Sequence, residues 1–202
     1  MKAVFKKETD GIYRLCVPFE KIYTSVFLIT AKRKNILVDC ATTADDVDDV
    51  IVPALKEAGY GFTDIDMIVI SHDHGDHSGG LDRILELAPD IKVVREVTDI
   101  SDGLSTYSLS GHTLNCIGVF DGCTNTLISC DGLQGAGVDK YRCRLKDKSA
   151  YLETIERIRC DIDNGKIENI LFSHAYEPWY EDRMIGREAV LSCLEECKKY
   201  IV

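Results

Sequence analysis

The sequence predicts a layered α/β protein, with β-sheet in the middle and helices outside. Three observations carry that expectation. Short apolar runs of strand length recur along the chain, and helix-spaced apolar positions fall between them without strict alternation. The composition, 45% hydrophobic and 29% charged, is that of a packed globule. A chain of 202 residues can bury a core without staples, so residues 1–202 are expected to form one domain.

In chain order, Ile12–Val17 reads as a strand ending in a loop at Pro18. Val26–Ile29 and Ile36–Asp39 form a hairpin pair across the polar turn 32–35. Val47, Val50, Ile51, Leu55 and Ala58 share one helical face, and Gly59 stands where a C-terminal cap belongs. Met67–Ile70 is a continuous apolar run, as in a strand buried on both faces. A helix follows over Leu81–Ala88, stopped by Pro89, then strands at Ile91–Val94, Leu104–Leu109, Asn115–Phe120 and Thr124–Cys130. Gly132–Lys148 reads as a loop or insertion, Tyr151–Cys160 as a helix, Ile167–Phe172 as a last strand and Met184–Tyr200 as a closing helix.

The formal charge of −10, from 24 basic and 34 acidic residues, repels phosphate backbones, so no nucleic-acid partner is expected. Met1–Asp10 is polar and charged, unlike an export signal, and no apolar run is long enough to cross a bilayer. The nine cysteines are odd in number and contain no C-x-x-C pair. A reducing cytoplasm with buried thiols is the expectation.

The five histidines carry the chemistry. His72, His74 and His77 fall within six positions, with Asp73 and Asp76 among them, directly after the Met67–Ile70 strand. Imidazole and carboxylate are donors for zinc, manganese and iron. In extended chain His72 and His74 point the same way and can grip one ion; Asp76 and His77, past the Gly75 bend, can face a second. His112 and His174 also follow expected strands, as does Asp131. A rigid sheet presents a site in this way, on loops at its strand ends.

With these pieces together the chain resembles the metallo-β-lactamase superfamily. The resemblance rests on HDHGDHSGG (His72–Gly80), GHT (Gly111–Thr113), CDG (Cys130–Gly132) and SHA (Ser173–Ala175), which occur in the family's order. It implies a four-layer αββα sandwich with a dinuclear metal site. It assigns His72, His74 and His112 to one ion, Asp76, His77 and His174 to the other, and Asp131 to both. Asp73 is expected to orient its loop, and Cys130 to be core.

The function expected from this is hydrolysis by a dinuclear metal-bridged hydroxide, acting on a small ester, thioester or lactone. Two divalent transition-metal ions, zinc first with iron or manganese as alternatives, would lower the pKa of a shared water towards 7. Asp76 is the candidate catalytic group, orienting the attacking oxygen and relaying its proton. An iron-dependent persulfide dioxygenase-like enzyme and a non-catalytic metal-binding signalling module are the alternatives. The substrate is expected to be small and anionic. Lys140 and Arg142 would steer it from the segment after Asp131, and Tyr23 and Trp179 would supply apolar walls along with Phe19 from the loop between the first two strands.

Overall fold

The computed structural model describes residues 3–19, 21–31, 34–133, 145–175, 180–199 and 201. The chain divides into two compact units, Met1–Arg95 and Glu96–Val202, each built on one six-stranded sheet.

The first sheet holds β1 (Lys6–Thr9), β2 (Ile12–Phe19), β3 (Ile22–Ala31), β4 (Lys34–Val38), β5 (Met67–Val69) and β6 (Lys92–Val94), paired in that order. The first four strands are antiparallel neighbours, while β4, β5 and β6 run parallel. Parallel strands need crossovers. The crossover from β4 to β5 is helical: α1 (Ala44–Asp46), a π-helical turn (Val47–Ile51) and α2 (Val52–Glu57); that from β5 to β6 carries α3 (Gly75–Ser78) and α4 (Leu81–Leu87). The π turn has a local cause. Pro53 has no N–H to give the carbonyl four residues back, and just before it the helix widens so that the Val52 N–H reaches the Val47 carbonyl. Thr43 opens the helix with a reciprocal capping box to Asp46, and Gly59 (φ +89°) follows its end as expected. Val47, Ile51 and Leu55 from this helix pack on Leu15, Val26, Leu28, Leu37 and Ile68 of the sheet.

The second sheet runs β12 (Arg183–Ile185), β11 (Asn169–Phe172), β10 (Thr126–Cys130), β9 (Ile117–Asp121), β8 (Leu104–Ser108), β7 (Asp99–Ser101). Only β10 and β11 are parallel, with α5 (Lys148–Asp163) in the crossover between them. Tyr151, Ile155, Ile158 and Ile162 of α5 and Val190, Cys193, Leu194 and Cys197 of α6 (Arg187–Lys199) pack with Leu127, Ile170 and Phe172.

The mixed α/β class and most elements match the sequence reading; several details do not. β1, β7 and β12 were not anticipated. These short edge strands carry little apolar signal of their own. Met184 lies in β12 rather than opening the last helix, because Gly186 (φ +87°) turns the chain and α6 begins at Arg187. Pro18 does not end its strand. It pairs with Tyr23 beyond the reach of β1, where β2 has one open edge and proline's missing N–H costs no ladder bond. Phe19 and Tyr23 are therefore strand residues at a hairpin tip, not loop residues.

Candidate metal centre

In the first unit the strand β5 and residues 70–71 deliver the chain to His72, after which His74 is still extended (φ −69°, ψ 145°). The rest of the motif corrects the expectation of an all-loop segment. Gly75–Ser78 is a helical turn, α3, with His74 as its N-cap, and the His77 and Ser78 N–H groups both donate to the His74 carbonyl. Four donors thereby gather on one loop. The His72 Nε2 and His74 Nδ1 atoms lie 3.0 Å apart, and the His77 Nε2 lies 3.3 Å from Asp76 Oδ2. Two ligands on one tetrahedral ion with bonds of ~2.0–2.1 Å are separated by about 3.3 Å, so the second spacing suits a shared ion.

The loop is tied from below by a residue that the sequence reading had treated only as the end of a strand. Asp39 follows β4 in the left-handed region (φ +63°) and is fully buried. Its Oδ1 accepts the Ser71 N–H at 2.8 Å, and its Oδ2 accepts the Ser71 hydroxyl at 2.8 Å and faces His77 Nδ1 at 2.7 Å. A carboxylate there draws the His77 proton to Nδ1 and leaves Nε2, on the side of Asp76, unprotonated as a metal ligand must be. The Ser71 hydroxyl, having given its hydrogen to Asp39, faces His72 Nδ1 at 3.0 Å as an acceptor and sets that ring in the same sense. The available signal was an aspartate closing the buried run Ile36–Val38, since a carboxylate in that position needs partners. Beside it, the Cys40 thiol donates to the His77 carbonyl; burial, and then the Asp39 charge, push its pKa up to about 12. Cys40 is therefore an inert thiol. Gly79 and Gly80 let the loop return against the strand-end turn, since a Cβ on Gly79 would stand 2.0 Å from the Thr42 carbonyl oxygen.

In the second unit His112, Asp131 and His174 are all buried. Asp131 follows β10 and His174 follows β11, neighbouring parallel strands whose C-terminal ends lie side by side. Cys130 makes the corner with φ +48°, and its side chain is buried as expected of a core residue. His112 sits in the turn between β8 and β9, where the Lys146 N–H donates to both the Gly111 and the His112 carbonyl oxygens. The two oxygens of Asp131 face different rings: Oδ1 lies 3.4 Å from His174 Nε2 and Oδ2 lies 3.8 Å from His112 Nε2.

The imidazole and carboxylate donors in both units, with the His77 tautomer set by Asp39, fit a divalent transition-metal ion. Of the expected substrate-contacting residues, Tyr23 is half-buried in β3, and Lys140, Arg142 and Trp179 lie outside the described residues. Asp73 is no member of the donor cluster: its side chain is exposed and takes a hydrogen bond from Arg95.

Known proteins give two kinds of likeness. A family model described as anti-Pycsar protein Apyc1 matches residues 18–88. Over 69 residues the chain is 38% identical to ribonuclease Z of Clostridium botulinum (strain Alaska E43 / Type E3), which is 34% of this chain and 20% of that protein. Over 63 residues it is 35% identical to anti-Pycsar protein Apyc1 of Saccharibacillus brassicae, 31% of this chain and 23% of the relative. The chain thus spans only about a fifth of the length of the curated relatives it matches. Solved structures match over far more of it. The metallo-β-lactamase FIM-1 from Pseudomonas aeruginosa, in a mono-zinc form, superposes with a TM-score of 0.73 at 15% identity, covering 100% of this chain and 97% of that one. An N-acyl homoserine lactone hydrolase, with N-hexanoyl-L-homoserine bound at its catalytic metal centre, gives 0.63 at 18% identity over 86% and 94%.

Proposed function

We propose that this chain, which has the metallo-β-lactamase fold, is a metal-dependent hydrolase of a small ester, thioester or lactone. In this reading all seven candidate donors serve the metal. His72, His74 and His112 hold one divalent ion, Asp76, His77 and His174 a second, and Asp131 is shared. The observation that carries the two-ion assignment is the orientation of Asp131, whose oxygens face two different imidazoles at 3.4 and 3.8 Å. When bound, such an ion pair acidifies water and polarises the carbonyl under attack.

The chain's own groups supply the rest. Asp39 keeps the His77 proton on Nδ1, so Nε2 stays unprotonated and able to bind a metal. Asp76 keeps one oxygen towards His77, and its side chain is 14% exposed. Its second oxygen accepts the proton of the attacking water and passes it to the leaving group. No histidine outside the ligand set remains as a general acid, which favours substrates with a good or metal-stabilised leaving group, such as thioesters, lactones and activated esters. A small substrate agrees with the N-hexanoyl-L-homoserine bound at the catalytic metal centre of one neighbour in fold.

A second reading, phosphodiester hydrolysis, is favoured by the likeness to ribonuclease Z over 34% of the chain. Against a polyanionic substrate stands the net charge of −10. The experiment is turnover of the zinc-, manganese- and iron-loaded chain on matched thioester, lactone and phosphodiester substrates, with metal counted by elemental analysis. The expected result is two ions per chain with thioester or lactone turnover. A stoichiometry that stays at one or below with excess metal, or turnover of phosphodiesters alone, would overturn it.

A further inference from the structure

One charged pair beside the motif is left over by the site just described. Val69 pairs with Val94 in parallel register, and the Ile70 N–H still donates to the Val94 carbonyl at 3.0 Å. The ladder stops there, so Arg95 begins where β6 ends, beside the segment that leads from β5 to His72. Its guanidinium donates to Asp73 Oδ1. Exposure alternates along this stretch: His72 is buried, Asp73 is 80% exposed at its side chain, and His74 is half-buried. The two imidazoles therefore face one side while the carboxylate between them faces the other. The neighbouring residues have other ties, Ser71 to Asp39 and His74 as the cap of α3.

We propose that the Asp73–Arg95 ion pair is a positioning brace: by holding the middle residue of His72–Asp73–His74 outward, it keeps the two flanking imidazoles converged on a metal ion. Arginine suits the task because its planar, always-charged fork can hold a carboxylate and still meet solvent, as its 43% exposure requires. The inference rests on the reading that His72 and His74 are metal ligands, and its test separates the two.

Zinc affinity of the full chain is measured by competition with a chromophoric chelator, alongside the visible spectrum of the cobalt(II)-loaded protein and thermal unfolding without metal. Arg95→Ala and Asp73→Asn are each expected to weaken zinc binding about two- to five-fold, the range of a partly exposed pair. The double variant should lose no more than the larger single loss. Arg95→Lys should recover part of the affinity, the loss should shrink in 1 M salt, and the cobalt bands of Arg95→Ala should move. Zinc affinities equal to wild type, losses that add in the double variant, or lowered metal-free stability with unchanged affinity would each overturn the brace. A wild-type chain that takes up no zinc would overturn the metal reading and the brace together.

Discussion

The two units present their candidate ligands in opposite ways. Residues 1–95 hang four donors, His72, His74, Asp76 and His77, on one loop, and a single buried carboxylate, Asp39, organises it through Ser71 and His77. Residues 96–202 offer three donors from three separate chain segments, each held by its own turn: His112 by the Lys146 N–H, Asp131 by the corner at Cys130, and His174 by the end of β11. The first arrangement is local, so its precision depends on side-chain hydrogen bonds. The second depends on the sheet, because register between β10 and β11 sets where Asp131 and His174 emerge. Losing one tie should therefore be felt differently in the two halves.

The largest expected effect comes from the proposed ligands themselves. Asp131→Ala and His77→Ala should each reduce turnover by about a thousand-fold or more, since each removes part of the stabilisation an ion pair supplies. Neither residue belongs to a hydrophobic cluster. Metal-free Asp131→Ala should therefore unfold within a few degrees of the wild type in a thermal scan, whereas His77→Ala should stay folded but unfold lower, because the buried Asp39 carboxylate loses its contact with Nδ1. Retained metal with activity within a few-fold of wild type would show that the residue is not a ligand.

Next comes Asp39→Asn, which tests the local arrangement alone. The amide can still accept the Ser71 N–H on its oxygen. Its NH2 group would then face His77 Nδ1 and the Ser71 hydroxyl, two positions that need an acceptor. His77 would move its proton to Nε2, the nitrogen proposed to bind metal. The expected result is a 10- to 100-fold loss of metal affinity, read by chelator competition. An unchanged affinity would mean that the sheet, not Asp39, sets the loop, and the contrast between the halves would collapse.

The same contrast explains what could be read from the sequence. The contiguous half announced itself, since three histidines and two aspartates within six positions after an apolar run have few structural uses. The dispersed half was legible only as an ordered set of weak pieces, because His112, Asp131 and His174 depend on strand neighbours far apart in sequence. Long strands and helices with clean periodicity were read to within a few residues. The edge strands β1, β7 and β12 were not, because pairing rather than composition creates them. Asp39 was missed for a related reason. Its partners lie 32 and 38 residues further on, and only the fold brings them to it.

A smaller effect is expected from Gly111→Ala, which probes how the dispersed half holds His112. Gly111 has φ +138°, a conformation L side chains rarely adopt, and an added Cβ would lie 2.5 Å from the Tyr151 Cβ. Tyr151 is a fully buried side chain on α5, so neither partner has room to retreat. Overpacking of this kind costs about 1–3 kcal/mol. Denaturant unfolding of the metal-free protein should show that loss, with a further drop in metal affinity as the His112 turn shifts. Wild-type stability would mean that the turn is more pliable than its contacts with α5 suggest.

The smallest effect sharpens the comparison most, because it pits the two strand-end corners against each other. Asp39 and Cys130 both stand in the left-handed region, at φ +63° and +48°, where a non-glycine residue carries roughly 1–2 kcal/mol of strain. Glycine relieves that strain at either corner. At position 39 the relief comes with loss of the carboxylate that orients Ser71 and His77, so Asp39→Gly should weaken metal binding at least as much as Asp39→Asn. At position 130 the side chain lost is a small buried thiol, worth about 1 kcal/mol of burial, close to the strain removed. Cys130→Gly should therefore leave the unfolding midpoint within a few degrees of wild type and metal affinity within about two-fold. A large loss of metal at Cys130→Gly would show that the thiol side chain, and not only the corner it makes, helps to hold Asp131. The two halves would then be organised by the same device, a strained residue whose side chain supports the ligands, rather than by two different ones.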